Sequence, residues 1–505
     1  MKTKSVLIGI ILASISAILF LGLGICLIPS HYIPLSDDAL YGVVAQSIVQ
    51  EGSYSDIYLP GEPPHVIHPP LFSFMWAIIL LLFPTSNVLI IRLVILLMGS
   101  LSLIIIWFLL PFDRLIKVLI TLNIAVNYTF LVNTSNVLSE TPYIFFSLLS
   151  FLLLTFYRKS LGWVVITGVT ITLASLTRSI GVLLSIEILF LLLMSYLHKN
   201  KEKCVSLFIT LSVFCILFLL WTVPHSLKAT DNRIPTHNGA LINYWDYFLM
   251  GDTISDNPPL TFSIWIHRLI KNATIFVSTI PSLFFYDYHL ILSTILQNFN
   301  ILFLKKFISM SIVVIMCLGV YKLFIKNLGV MYVLASIFIF LNLEVADRLL
   351  FPLLPFFYIF FVVGLISLFR DKRIIVVILC VGLILSTFGV VDFYEDQNAK
   401  PQNQILSYIS SAHWLSKYVK KGDVVMTRYP AAYYLQSGIK SVGFSFTRNS
   451  TKIIQEIYEY NVSYVVEDSI SPVTVLFLSP TIDTNFELFT PIYFYNDTII
   501  FKVNK

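Results

Sequence analysis

Residues 31–71 read HYIPLSDDALYGVVAQSIVQEGSYSDIYLPGEPPHVIHPPL, a polar interruption between two apolar runs. The stretch carries an acidic pair (Asp37, Asp38), three histidines (His31, His65, His68) and a Pro69-Pro70 step, and it contains no Lys or Arg. Basic residues collect on the cytoplasmic side of membrane proteins, so a long polar segment without them belongs on the opposite face. Ser36, then Asp37, Asp38 and the periodic Tyr41, Val44, Ala45 and Ile48, with Gly52 beyond, predict a helix with a serine N-cap and acids in its first turn. Complementarity to the helix dipole alone would account for two acids there. Adjacent carboxylates beside a Pro-rich, His-bearing loop can also hold a general base near a lipid-borne substrate, and burial would raise such a carboxylate's pKa towards a useful value. The segment reads as the active-site loop of a membrane enzyme.

Working outward, composition sets the class. Of 505 residues, 57% are hydrophobic and 12% charged, where soluble domains carry about 25% charged residues, and the mean hydropathy is +0.84. The chain is an integral membrane protein. Its net charge of +5 is that of cytoplasmic anchor residues, and no nucleic-acid partner is expected. The five cysteines form no CxxC pair, which argues against a zinc site or a disulfide framework. Lys2 and Lys4 precede an apolar run, 5–29, longer than the roughly 7–15 residues of a signal-peptide core, so this run is expected to stay as a first membrane helix that starts in the cytoplasm.

The stretch 71–84 is too short to cross easily, since a span needs about 20 residues. Arg114 and Lys117 put the connection after 88–110 inside, so 71–84 should lie at the surface or re-enter. The run 115–132 then leads outward as one span and 137–157 returns. A further pair, 161–176 and 180–197, closes on the basic HKNKEK run at 198–203. After 205–223 comes a second external region, 224–306, and 307–324, 328–343, 349–369 and 374–391 complete about eleven crossings. This scheme places Glu140, Arg178 and Arg348 outside, at the ends of spans. In the tail, helical periodicity at 403–420, 430–436 and 452–460 alternates with β-like runs at 423–427, 462–466 and 498–503. The expected protein is an α-helical polytopic membrane protein of the cell membrane. It comprises a transmembrane domain, 1–391, containing the catalytic loop 31–71, and a small extracytoplasmic α/β domain, 392–505.

Several motifs together resemble one superfamily. They are the DD-x-x-Y of Asp37, Asp38 and Tyr41, the HPPL of 68–71, SETP at 139–142, ASLTRSIG at 174–181 and DRLLFPLLPFF at 347–357. Their order and shared external placement resemble the C-type glycosyltransferases (GT-C), and more narrowly the branch of protein O-mannosyltransferases and aminoarabinose transferases. The resemblance implies inverting transfer of a sugar from a polyprenyl-phosphate donor to an acceptor hydroxyl of a protein, glycan or lipid outside the cytoplasm. It implies that Asp37 is the catalytic base, with Asp38 as its acidic neighbour. His68 stands where many relatives have another basic residue, and a neutral imidazole is a weaker phosphate partner than lysine.

Arg178 and Arg348 are the better phosphate ligands, because a guanidinium forks onto phosphate oxygens; interfacial anchoring is the plain alternative for each. Arg92 is a further candidate, and Glu140 matches a second acidic position of the superfamily. An ionisable group near the membrane is costly and marks a functional position by default. The implied reaction requires no cofactor. Hard cations take oxygen ligands, so Asp37, Asp38 and Glu140 have the chemistry for a divalent metal, but the resemblance does not call for one. Two other functions compete: a lipid-linked glycan transporter or flippase, which would carry charges at mid-membrane, and an oligosaccharide ligase.

Overall fold

The computed structural model describes residues 2–28, 32–158, 160–228, 234, 261–284, 301–324, 329–343, 345–369, 371–398 and 403–504. His31 and most of the expected external region 224–306 lie outside the described residues. In chain order run α1 (Lys2–Cys26), α2 (Asp37–Glu51), α3 (Leu71–Leu82), α4 (Asn87–Leu109), α5 (Arg114–Ala125), α6 (Tyr128–Ser135), α7 (Glu140–Thr155), α8 (Leu161–Thr177), α9 (Leu184–Leu197), α10 (Lys201–Lys228), α11 (Phe262–Phe284), α12 (Ile301–Phe324), α13 (Val330–Asn342), α14 (Leu354–Leu368) and α15 (Lys372–Asn398). The chain divides into two compact units.

The first unit comprises Met1–Pro29, Val88–Trp221 and Ser263–Asn398. Among the described residues, seven helices are long and apolar enough to cross a membrane, and an eighth span results if the bent pair α5 and α6 is counted as one. The expected spans at 137–157, 161–176 and 328–343 are the shorter apolar helices α7, α8 and α13. Large apolar side chains such as Ile11, Ile15 and Ile18 on α1, Leu219 and Leu220 on α10 and Ile384 and Phe388 on α15 are exposed. A surface of this kind suits lipid rather than water.

The run 115–132 is not the single span its apolar pattern predicts. It bends by 50° between Ala125 and Tyr128, because Asn127 starts a new helix. Its Oδ1 accepts from the Phe130 N–H at 3.0 Å, and its Nδ2 donates to the Leu283 carbonyl at 2.7 Å. In a bilayer a broken helix persists where side chains replace the missing backbone bonds, and Asn127 does both. α12 and α14 pack face to face through Gly319 and Gly364. A Cβ on Gly319 would run into the Phe360 carbonyl, and one on Gly364 into the Ile315 carbonyl. Small residues permit this backbone approach.

The second unit comprises Ser30–Asn87, Thr222–Phe262 and Ala399–Lys505. Its tail holds α16 (Asn403–Leu415), α17 (Pro430–Ser437), α18 (Ser450–Glu459) and α19 (Ser479–Thr484), with β1 (Val424–Met426), β2 (Ser441–Val442), β3 (Val462–Glu467), β4 (Phe489–Tyr495) and β5 (Thr498–Val503). The strands form one mixed sheet in the order β2-β1-β3-β5-β4, with β1 parallel to β2 and β3, and β5 antiparallel to β3 and β4. Strands β1, β3 and β5 fall where alternation predicts them. β4 does not, because Pro491 reads as a strand breaker. It is tolerated on an edge strand beside a register shift.

Loop 31–71 groups with this tail rather than with the membrane helices, which differs from the boundary drawn at 391/392 on composition. Ala39, Leu40 and Val43 of α2 and Ile57, Tyr58 and Leu59 of the loop share one apolar cluster with Val424, Met426, Ile453, Val465 and Phe477. The Ser441 N–H donates to the Tyr58 carbonyl at 2.8 Å, and Lys440 reaches Glu62 at 2.5 Å. At the end of β3, buried Asp468 accepts from the Ile470 N–H at 3.0 Å and from the Thr474 hydroxyl at 3.4 Å. Burial pushes its pKa up to about 6 against those hydrogen bonds.

Two outcomes are expected. Gly364→Val should cost at least the roughly 1–3 kcal/mol of core overpacking, seen as loss of the monodisperse peak in detergent size-exclusion chromatography. The folded-state pKa of Asp468 lies above its unfolded value of about 3.9, so stability from this group is full below that value and is lost as pH rises through about 6. Asp468→Asn should therefore flatten the pH dependence of tail proteolysis in the full chain between about pH 4 and 6.

Candidate functional site

The acidic pair at the start of α2 divides its work. Asp38 turns inward: its Oδ1 accepts from the backbone N–H groups of Leu35 (3.1 Å), Ser36 (2.8 Å) and Ala39 (3.0 Å), and its Oδ2 accepts from the Tyr32 hydroxyl at 2.5 Å. Burial raises its pKa, and the four hydrogen bonds oppose that shift. The sequence predicts a Ser36 side-chain cap, but Ser36 makes none. Asp38 takes its place by reaching back to the N–H of the capping residue, as the acid of a capping box does. Asp37, one residue earlier on the helix, faces His68, with 3.9 Å between its Oδ1 and the imidazole Nε2. That separation is longer than a hydrogen bond.

His68 is held on every side within this unit. Its ring lies 4.7 Å from that of buried Tyr41, and stacks on His65 at 5.6 Å with an interplanar angle of 8°. Its N–H donates to His65 Nε2 at 3.1 Å and its carbonyl accepts from the Tyr54 hydroxyl at 2.8 Å. Burial holds the Tyr54 phenol protonated, well above its ordinary titration range. Pro69 and Pro70 follow, restricting His68 to extended backbone and leading into α3, which is short, as expected for a helix that does not cross.

In the first unit, Glu140, Arg178 and Arg348 come together. Glu140 starts α7, fully buried, and its Oε1 accepts from Arg178 Nη1 at 2.5 Å and from Arg348 Nε. The three come from different places in the chain. Arg178 ends α8 in extended conformation, and the chain doubles back so closely that a Cβ on Gly181 would strike the backbone of Ala174 and Ser175. Arg348 lies in the helical turn Asp347–Leu350 that leads to α14. Its approach is fixed from α11, where Arg268 and Asn272 donate to the Asn342 and Leu341 carbonyls at 3.2 and 2.9 Å and so cap α13. Two guanidiniums thus share one carboxylate oxygen.

Arg92 has a structural task. It is buried in α4, and its Nε donates to the Ser135 carbonyl at 2.8 Å, satisfying the C-terminal end of α6. Sequence reasoning missed Tyr32, Tyr54, Asp56 and His225. His225, at the end of α10, donates from its Nε2 to the His65 carbonyl. None of these four stands in a periodic pattern, and their partners lie up to 160 residues away. Among the described residues, no three His, Cys, Asp or Glu side chains group as metal ligands.

Residues 67–221 match the family described as dolichyl-phosphate-mannose-protein mannosyltransferase (PMT_2), a segment that includes His68, Arg92, Glu140 and Arg178. No curated protein matches the chain in sequence. In fold the chain is similar to the archaeal oligosaccharyltransferase AglB from Archaeoglobus fulgidus in complex with an inhibitory peptide and a dolichol-phosphate, at 12% identity over 98% of this chain and 74% of that one, TM-score 0.61. The oligosaccharyltransferase of the same organism in complex with Zn and sulfate is similar at 13% identity over 98% and 73%, TM-score 0.60. ArnT from Cupriavidus metallidurans bound to undecaprenyl phosphate is similar at 11% identity over 99% and 98%, TM-score 0.51.

Removing a shared buried carboxylate leaves two cations facing each other. Glu140→Gln should destabilise the protein by about 3 kcal/mol or more, read as a lowered thermal midpoint in detergent. Adding Arg178→Gln should recover part of that loss, because one uncompensated cation is removed with it.

Proposed function

We propose that this chain is a membrane glycosyltransferase of the C-type superfamily, which transfers a sugar from a polyprenyl-phosphate donor to an acceptor hydroxyl on the extracytoplasmic side, with inversion; the match of residues 67–221 to the mannosyltransferase family and the likeness in fold support that reading. The observation that carries this reading is the split of the acidic pair. Asp38 is engaged by four donors of its own loop, whereas the neighbouring carboxylate of Asp37 is turned towards an imidazole.

In this mechanism Asp37 is the general base. It takes the proton of the acceptor hydroxyl as that oxygen attacks the anomeric carbon, and the bond from the anomeric carbon to the phosphate oxygen breaks. The electron pair leaves on the lipid phosphate. Arg178 and Arg348 stabilise the charge that develops there, as guanidiniums that fork onto phosphate oxygens, so cations of the protein rather than a divalent metal serve the leaving group. Glu140 orients the two guanidiniums, and Arg92 acts on the fold. Dolichol-phosphate and undecaprenyl phosphate, the lipids bound by the two similar structures, are both polyprenyl phosphates, which supports that donor class. The N-terminus is cytoplasmic in this scheme and the tail extracytoplasmic.

The test uses purified full-length protein, a panel of radiolabelled polyprenyl-phosphate sugars and a membrane extract as the acceptor source. Transfer by the wild type should fall about 100- to 10,000-fold in Asp37→Asn, the usual contribution of a positioned base. Arg348→Gln should weaken use of the donor more than it alters the fold. An Asp37→Asn variant as active as wild type, or no transfer of any sugar, sinks the reading.

A further inference from the structure

The loop contains a buried acid–imidazole pair that the proposed reaction does not use. His65 is 1% exposed and Asp56 4%. The His65 Nδ1 lies 2.7 Å from Asp56 Oδ1. Its other nitrogen, Nε2, accepts the His68 backbone N–H at 3.1 Å. A nitrogen that accepts an N–H carries no proton of its own, so this network selects the neutral tautomer with the proton on Nδ1, donated to Asp56. The dyad is itself anchored. Asp56 N–H donates to the Pro63 carbonyl at 2.8 Å and His65 N–H to the Tyr54 carbonyl at 3.0 Å, closing residues 54–65 into a hairpin-like turn. From the far side His225 Nε2 meets the His65 carbonyl.

What the dyad grips is the backbone and ring of His68. One end of the residue is held by His65 Nε2 and the other by the Tyr54 hydroxyl, and the two imidazoles stack almost in parallel. With its N–H and carbonyl both held and its ring set against His65 and Tyr41, the imidazole of His68 lies with its Nε2 3.9 Å from Asp37 Oδ1. A surface histidine would need no such arrangement, and a buried Asp–His pair is costly unless its hydrogen bonds are complete. We propose that Asp56 and His65 are positioning residues that hold the His68 imidazole opposite the Asp37 carboxylate. They act through His68, not on substrate. The proposal rests on the reading of Asp37 as the base.

Two measurements on the full-length protein test it. The first does not depend on turnover. Hydrogen exchange of the segment 66–72 should be at least tenfold faster in His65→Leu, which removes the acceptor for the His68 N–H, and close to wild type in His65→Gln, whose side-chain oxygen can still accept. Asp56→Ala should behave as His65→Leu does. Unchanged protection in a folded His65→Leu protein overturns the proposal. The second uses the radiolabelled polyprenyl-phosphate sugar that the wild type turns over. His65→Leu should lower kcat at least tenfold with the donor KM unchanged, His65→Gln should restore most of it, and His65→Leu with His68→Ala should be no slower than His68→Ala alone. Effects that multiply across the two positions, or a loss that His65→Gln does not rescue, overturn it. Should Asp37→Asn stay active, the reading of the base fails, while the exchange result still decides whether His65 holds His68.

Discussion

A bilayer offers no hydrogen bonds, and much of this structure follows from that constraint. At several helix ends and breaks of the first unit a polar side chain takes up the exposed backbone groups. Arg92 of α4 does so for α6, Asn127 for the bend between α5 and α6, and Arg268 and Asn272 of α11 for the end of α13. Each of these side chains ties together segments far apart in the chain. The short helix α13 becomes tolerable because its end is met by protein. Arg348, one of the two proposed phosphate ligands, follows α13, whose end Arg268 and Asn272 cap.

The Glu140 cluster shows how two guanidiniums from distant parts of the chain are held on one buried carboxylate. A lone guanidinium there is expensive. Glu140 offsets part of the desolvation of each and fixes their orientation. That arrangement explains why an acid stands among groups whose proposed partner is an anion. It also means that the contribution of Glu140 to activity would come through its arginines.

Much of the architecture was legible from elementary patterns, and the site only in part. Apolar runs and basic clusters located the membrane helices, and period-two alternation found β1, β3 and β5, because lipid and a half-buried sheet each impose a strong periodicity. Three things escaped. The break at Asn127 is one residue in an apolar run. β4 contains Pro491, which a propensity argument rejects and an edge strand accepts. The grouping of loop 31–71 with the tail depends on Ile57, Tyr58 and Leu59 meeting residues some 400 positions away, and composition carries no signal for a pairing of that range. Candidate residues could be named from type and placement: Asp37 with His68, and Glu140 with Arg178 and Arg348. Their roles could not, because the difference between Asp37 and Asp38 lies in the direction of two adjacent side chains.

That difference bears on how the loop works. Successive residues on a helix point about 100° apart, so an acidic pair in the first turn cannot send both carboxylates to one target. Here one of them closes the loop on itself. By taking three backbone N–H groups and the Tyr32 hydroxyl, Asp38 fixes the angle at which the chain enters α2, and that angle sets where Asp37 points. On the opposite side, Asp56 and His65 perform the corresponding task for His68. A carboxylate and an imidazole are thus each held from behind by a second acid, and the 3.9 Å between them is the product of two separately braced elements rather than of their own attraction. The bracing supplies the order.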